Sequence, residues 1–117
     1  MIADKINKWA DELSLLEGME KLSYLVDLAR RSTTLPKELC TDDRLVPGCV
    51  SKIWVEVGYK EDRVQIYYDS DAMIPKGIAT IICDILSGST KKEAMDFNTN
   101  DLESLGFVQL VTPQRRN

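Results

Sequence analysis

Histidine is absent from the sequence. Its absence removes the side chain that most often acts as a general base near neutral pH and that most often binds metals in proteins. A nucleophile activated by histidine is therefore excluded within these 117 residues. Cysteine is scarce as well. There are three cysteines at irregular spacing, an odd count that favours reduced thiols over a disulfide framework.

Dense basic clusters and long apolar runs are missing too. The net charge is −4, and non-specific nucleic-acid binding needs clustered lysine and arginine, so we expect no nucleic-acid partner. No apolar run approaches the ~20 residues that span a bilayer. The segment Met1–Lys5 lacks the basic start and apolar stretch of a signal peptide. We therefore expect a cytoplasmic protein with no membrane partner, folded as a single domain over residues 1–117.

The spacing of apolar residues predicts a mixed fold. They recur at helical spacing in three segments and alternate with polar residues in two. Helices are predicted over 2–17, 19–31 and about 75–86, and strands over 51–58 and 62–70. We expect an α/β fold of the α+β type, in which a small antiparallel sheet of about three strands packs on helices.

Three local features refine this prediction. The two strands form a hairpin whose turn is predicted at 58–62 and whose apolar face is made by Ile53, Val55, Val57, Val64, Ile66 and Tyr68. Asp69 and Asp71 are interpreted as helix caps or turn formers. Thr90 and Glu93 are spaced as a capping box that opens a short helix.

Cys49 occupies the most informative stretch, between a Pro47–Gly48 turn and the first predicted strand. Two interpretations are open: a thiol held outside the core, or a small buried hydrophobe. Trp54 falls on the strand face opposite the apolar one. It is either a lid over hydrophobic surface or a wall beside the cysteine.

The other two cysteines have different surroundings. Cys40 lies nine residues before Cys49 in a polar loop and is either a resolving thiol or a bystander. Cys83 falls within an apolar helix and is interpreted as inert core. Because a thiolate attacks sulfur and no histidine is available, activation of Cys49 has to come from an arginine, a backbone nest or a partner's active site.

Three motifs resemble those of the SufE family. Gly48–Trp54 is similar to its Gly-Cys-x-Ser-x-Val/Ile-Trp signature, and Asp69–Gly77 to its Asp-Ser-Asp-Ala-x-x-x-Lys-Gly segment. Leu110–Asn117 resembles its Leu-Ser/Thr-Pro-x-Arg-x-Asn stretch. There are departures: Val50 and Lys52 stand where the family often has glutamine, and the family's Gly-Leu and C-terminal helix do not follow the final asparagine.

The resemblance implies a function and a set of site residues. Cys49 would accept persulfide sulfur from a SufS-like cysteine desulfurase, stimulate that enzyme and pass the sulfur to an iron–sulfur scaffold complex. Pyridoxal phosphate would belong to the desulfurase, with no cofactor or metal on this chain. The fold would be SufE/IscU-like, and the protein a monomer or weak dimer. Partner-docking or supporting roles would fall to Gly48, Ser51, Trp54, Asp71, Lys76 and Arg115.

Two other functions remain open. One is an IscU-like scaffold that holds a metal or cluster through Cys40, Cys49 and Cys83, although the sequence has neither histidine nor a close cysteine pair. Bound zinc or iron in purified protein would favour it. The other is a thiol redox sensor, which a Cys40–Cys49 disulfide formed by mild peroxide would support.

Overall fold

The computed structural model describes residues 2–31, 35–46 and 52–97. Over these residues the chain forms helices α1 (Ile2–Ser14) and α2 (Met19–Arg31), two short 3-10 turns (Lys37–Leu39 and Asp42–Arg44), strands β1 (Ile53–Lys60) and β2 (Arg63–Ser70), and helices α3 (Met73–Leu86) and α4 (Lys91–Asp96). None of these helices is both long and apolar enough to cross a membrane.

Helix α3 is the central element of the fold, because it packs against α1, α2 and β2. Its sequence is strongly apolar, as a helix covered by several neighbours requires. It begins two residues earlier than the predicted start at Pro75. The main core cluster joins α3 to the two N-terminal helices and consists of Ile6, Leu13, Leu25, Ile78, Ile81 and Ile85.

A glycine sets the distance between α2 and α3. A Cβ atom on Gly77 would lie 2.1 Å from the carbonyl oxygen of Leu25, far inside any normal contact. The two helix backbones therefore meet directly at this position, and only glycine fits there.

Two side chains of α1 attach to the end of α3. The ammonium of Lys5 donates to the carbonyl oxygens of Asp84, at 2.9 Å, and Ser87, at 2.7 Å. The Trp9 indole donates to the Asp84 carboxylate at 2.8 Å. The last carbonyls of a helix have no partner within it, so the lysine satisfies them and places its charge at the negative end of the dipole.

The hairpin has the predicted faces. Val55 lies opposite Tyr68 and Val57 opposite Ile66 in the antiparallel register, so these side chains share one face of the sheet. Burial is strongest beside α3, where Tyr68 is 4% exposed, whereas Val57, on the other strand, is 48% exposed.

Two details of the sheet differ from the prediction. Within the described residues the sheet has two strands rather than about three, because Leu45 pairs with Trp54 in a single bridge after the 3-10 turn that ends at Arg44. The hairpin turn is Glu61–Asp62, both with positive φ, and Gly58 lies inside β1. A two-residue turn of this kind matches the twist of the paired strands.

The predicted capping box is confirmed. Thr90 accepts a hydrogen bond from the backbone of Glu93, and the Glu93 carboxylate accepts one from the backbone of Thr90. These bonds lower the pKa of the Glu93 carboxyl.

Candidate functional site: the start of β1

The backbone of Lys52 is held by the end of β2. The Lys52 N–H donates to the Asp71 carboxylate at 3.0 Å. The Lys52 carbonyl accepts from the Asp71 N–H at 3.1 Å and from the Ser70 hydroxyl at 2.7 Å. We call these three residues the strand clamp. It fixes both backbone groups of the residue that precedes β1.

A second contact fixes the chain before the cysteine segment. The Val46 N–H donates to the Ile53 carbonyl at 2.8 Å, next to the bridge between Leu45 and Trp54. The segment 47–51, which carries the signature cysteine, therefore joins Val46, which is bonded to β1, to Lys52, which is bonded to the end of β2. This segment lies outside the described residues.

Asp69 and Lys76 form an ion pair beside the strand clamp. The Lys76 ammonium lies 3.1 Å from an Asp69 carboxylate oxygen, and the two side chains are only 16% and 23% exposed. The same oxygen accepts from the Ser70 N–H at 2.8 Å. The pair links the end of β2 to the first turn of α3. The Lys76 ammonium therefore already has a charged partner within this chain.

Of the two interpretations of these aspartates, helix cap or turn former, the first is wrong, because neither of them caps α3. The N-cap residue is Ala72, which makes no side-chain cap hydrogen bond. Asp71 is used by the strand clamp and Asp69 by Lys76, because the chain returns past the start of β1 before the helix begins.

Cys40 approaches this group from the loop between α2 and β1. Its thiol lies 3.9 Å from the second carboxylate oxygen of Asp69 and 3.6 Å from the Pro36 carbonyl. Burial raises the pKa of the Cys40 thiol, and the Asp69 carboxylate raises it further, while Arg44 acts in the opposite direction. Cys40 is therefore predominantly a neutral thiol at neutral pH, which makes it a poor resolving nucleophile.

Arg44 ties this loop to β1. Its guanidinium donates to the Glu56 carboxylate at 2.6 Å, to the Leu39 carbonyl at 3.2 Å and to the Thr41 hydroxyl at 2.8 Å. The side chain is 23% exposed. The Cys40 loop is thus held against the outer side of β1 by one charged group.

Cys83 is buried in α3, as predicted. It is 7% exposed, and burial raises the pKa of its thiol to about 12. Such a thiol is inert at neutral pH and is poorly placed to act as a ligand of a scaffold site. No group of three potential metal ligands occurs within the described ranges.

The structure brings together three of the predicted site residues. Asp71 and Lys76 belong to the group around the start of β1, and Trp54 pairs with Asp69 across the sheet, on the face opposite the apolar one. The other four, Gly48, Cys49, Ser51 and Arg115, lie outside the described residues. Sequence reasoning missed the Asp69–Lys76 pair, and its one signal was that both residues belong to the same family motif.

Comparisons with known proteins agree with the motifs. A family model described as "SufE: Fe-S metabolism associated domain" matches residues 7–117. "SufE-like protein 1, chloroplastic/mitochondrial" of Arabidopsis thaliana is 31% identical over 105 residues, which is 89% of this chain and 28% of that protein. "Cysteine desulfuration protein SufE" of Wigglesworthia glossinidia brevipalpis is 26% identical and covers 94% of this chain and 83% of its own length.

A solved structure shares the fold. The solution structure of a hypothetical protein from Thermus thermophilus superposes with a TM-score of 0.73 at 17% identity. The match covers 95% of this chain and 82% of that one. The α+β architecture is therefore a known one.

Proposed function

Because the chain belongs to the SufE family of Fe–S metabolism associated domains, we propose that it accepts sulfur from a cysteine desulfurase on Cys49. The observation that carries the proposal is the state of the other two thiols. Cys83 is buried with a pKa of about 12, and the pKa of Cys40 is raised by burial and by Asp69. Neither is suited to attack sulfur at neutral pH, which leaves Cys49 as the nucleophile.

The transfer is a thiol exchange without net redox change. The Cys49 thiolate attacks the outer sulfur of the desulfurase persulfide, and a new sulfur–sulfur bond forms on Cys49 as the old one breaks. The desulfurase leaves as a thiolate, and Cys49 carries the persulfide. In this proposal pyridoxal phosphate belongs to the desulfurase alone, and the sulfur passes on to an iron–sulfur scaffold complex.

The remaining proposed site residues either support the cysteine segment or contact the desulfurase. Asp71 holds Lys52 and so fixes one end of the cysteine segment. Lys76 is engaged by Asp69, which favours a supporting role. Trp54, Gly48, Ser51 and Arg115 are proposed to contact the desulfurase or to line the niche of Cys49.

The location is proposed to be the cytoplasm, as the sequence predicts. The name of the Arabidopsis relative assigns that protein to the chloroplast and mitochondrion. Fractionation of the source cells, with a tagged full-length chain, tests the location separately from the chemistry.

The decisive experiment is mass spectrometry after incubation with a cysteine desulfurase and cysteine. We expect a gain of one sulfur mass, located on the peptide that contains Cys49 and removed by dithiothreitol. Cys49→Ser abolishes the gain, whereas the matched variant Cys40→Ser retains it. Sulfur located on Cys40 or Cys83, or full transfer to Cys49→Ser, contradicts the proposal.

A further inference from the structure

Arg44 connects the loop before β1 to the strand itself. Its Nε donates to a Glu56 carboxylate oxygen at 2.6 Å, and its Nη1 donates to the Leu39 carbonyl at 3.2 Å and to the Thr41 hydroxyl at 2.8 Å. The Asp43 carboxylate lies farther away, at 3.8 Å, and its side chain is 76% exposed, against 23% for Arg44. A partly buried guanidinium with several partners is held more firmly than a lysine or arginine in a surface ion pair.

The three residues before segment 47–51 form what we call the entry arm, which runs antiparallel beside β1. Their partners on β1 follow in reverse order along the strand. The pairs are Arg44 with Glu56, Leu45 with Trp54, and Val46 with Ile53. The last two pairs are backbone contacts, and so short a two-stranded pairing is only marginally stable in water. The side chain of Arg44 therefore adds a third attachment, at the end of the arm farthest from the cysteine segment.

The entry arm determines where the cysteine segment starts. Segment 47–51 has to span from Val46 to Lys52, whose backbone is held by the strand clamp. A shift of the arm by one residue along β1 would exchange the faces on which its side chains lie. The ion pair opposes such a shift, because Arg44 meets Glu56 and the two loop acceptors in one geometry. A single register gives the segment a single starting point, which is preorganisation for reaction with a partner.

We propose that Arg44 is a positioning residue for sulfur acceptance, acting through Glu56 on the entry arm. The proposal rests on the function proposed above for Cys49. In this role the guanidinium does not contact the reacting sulfur atoms. It raises the fraction of molecules in which the cysteine segment starts where the desulfurase requires it. When only a fraction of a protein is competent to bind, its apparent affinity falls by that fraction, so the loss of Arg44 weakens productive docking and leaves the chemistry of the thiol unchanged.

The first test compares Arg44→Ala with the matched control Arg63→Ala in sulfur transfer from a cysteine desulfurase. Both variants remove one positive charge, but Arg63 donates to the Gly88 carbonyl at 3.1 Å, at the other end of the hairpin. We expect Arg44→Ala to raise the KM for this chain about tenfold and to leave kcat within about twofold. Arg63→Ala leaves both constants within about twofold. Alkylation of Cys49 by iodoacetamide in the isolated chain is unchanged in both variants.

Hydrogen exchange at the Val46 amide reports on the entry arm without any partner. The Val46 N–H is protected by the Ile53 carbonyl, and its exchange follows the free energy of local opening. We expect Arg44→Ala to speed this exchange about tenfold. The control amide is that of Val64, which donates to the Ser89 carbonyl at 2.8 Å away from the arm, and its rate stays within about twofold. A general loss of stability would speed both amides alike, so the difference between them identifies a local effect.

Glu56→Gln separates positioning from direct contact between Arg44 and the desulfurase. If Arg44 acts through Glu56, Glu56→Gln raises the KM as well, and the double variant Arg44→Ala, Glu56→Gln is no worse than Arg44→Ala alone. The exchanged pair, Arg44→Glu with Glu56→Arg, recovers at least about threefold of the lost KM. If Arg44 contacts the desulfurase directly, Glu56→Gln leaves the KM unchanged, which overturns the proposal. Should Arg44→Ala fail to fold, Glu56→Gln carries the KM and hydrogen-exchange measurements in its place.

Two other results overturn the positioning role. One is an Arg44→Ala variant with the KM of the parent, and the other is exchange at Val46 that is no faster than in the parent. If sulfur is located on Cys49 and either result is found, the positioning role fails and the proposed function stands. If sulfur is located on another cysteine, the function proposed for Cys49 fails and the role of Arg44 in transfer fails with it. Exchange at Val46 then still decides whether Arg44 holds the entry arm.

Discussion

The contact between Gly77 and α2 makes a sharp prediction for Gly77→Ala. The added Cβ would lie 2.1 Å from the Leu25 carbonyl oxygen, where 3.4 Å is an ordinary contact. The helices must separate by about 1 Å, and a gap of that size forfeits a quarter to a half of the dispersion energy of the atoms that line it. Leu25 is fully buried, so the loss falls in the core.

The expected cost follows from these terms. Overpacking of a core typically costs 1–3 kcal/mol and occasionally more, while alanine gains up to ~1 kcal/mol over glycine in helix propensity. Because the clash is with backbone and not with a flexible side chain, we expect the upper end, a net loss of ~2–3 kcal/mol. For a chain of this length that lowers the Tm by about 8–12 °C.

Thermal and urea unfolding measure this effect, and Gly58→Ala is the matched control. Its Cβ would have contacts no closer than 4.0 Å, so we expect a change within ~0.5 kcal/mol. If Gly77→Ala is as stable as the parent, the helices are not in backbone contact and the packing described for α2 and α3 is wrong.

Three further predictions concern the thiols, the clamp and the tail. Burial raises the pKa of the Cys83 thiol from 9.0 to about 12. The contribution of the neutral thiol to the free energy of unfolding is therefore complete below pH 9 and is lost between about pH 9 and 12. Urea unfolding at several pH values should show a smaller loss of stability over this range for Cys83→Ala than for the parent. Asp71→Ala should speed hydrogen exchange at the Lys52 amide by about fivefold, since an exposed hydrogen bond is worth ~1 kcal/mol, while Asp71→Asn keeps an acceptor and most of the protection. For Arg115→Ala we expect unchanged alkylation of Cys49 but weaker, less salt-dependent binding to the desulfurase; slower alkylation would place the guanidinium beside the thiol instead.

Much of the fold follows from local sequence patterns. Helical periodicity predicts α1 and α2, alternation predicts the two faces of the hairpin, and Thr90 with Glu93 predicts the start of α4. Each of these rests on residues close in sequence. The turn is harder to predict, because Glu61 and Asp62 adopt positive φ, a conformation usually associated with glycine. A local pattern therefore favours Gly58 as part of the turn, although it lies within β1.

The contacts at the start of β1 could not be predicted from local patterns. Asp71 binds a backbone group 19 residues earlier, and Cys40 approaches a carboxylate 29 residues later. Both contacts depend on how β2 returns beside β1, which is a property of the folded hairpin. An aspartate before a helix is normally a cap, and only the tertiary arrangement assigns it elsewhere.

The Asp69–Gly77 motif has an architectural explanation. Asp71 fixes Lys52, Asp69 binds Lys76, and Gly77 admits the backbone of α2. Each contact fixes β1, β2, α2 or α3 relative to a neighbour, so a chain can carry this motif for its fold alone. Sulfur chemistry requires a nucleophile in addition. The variant Asp71→Ala therefore tests whether holding one end of the cysteine segment matters for sulfur transfer. If a folded Asp71→Ala protein transfers sulfur at an unchanged rate, Asp71 stabilises the fold and has no part in the transfer.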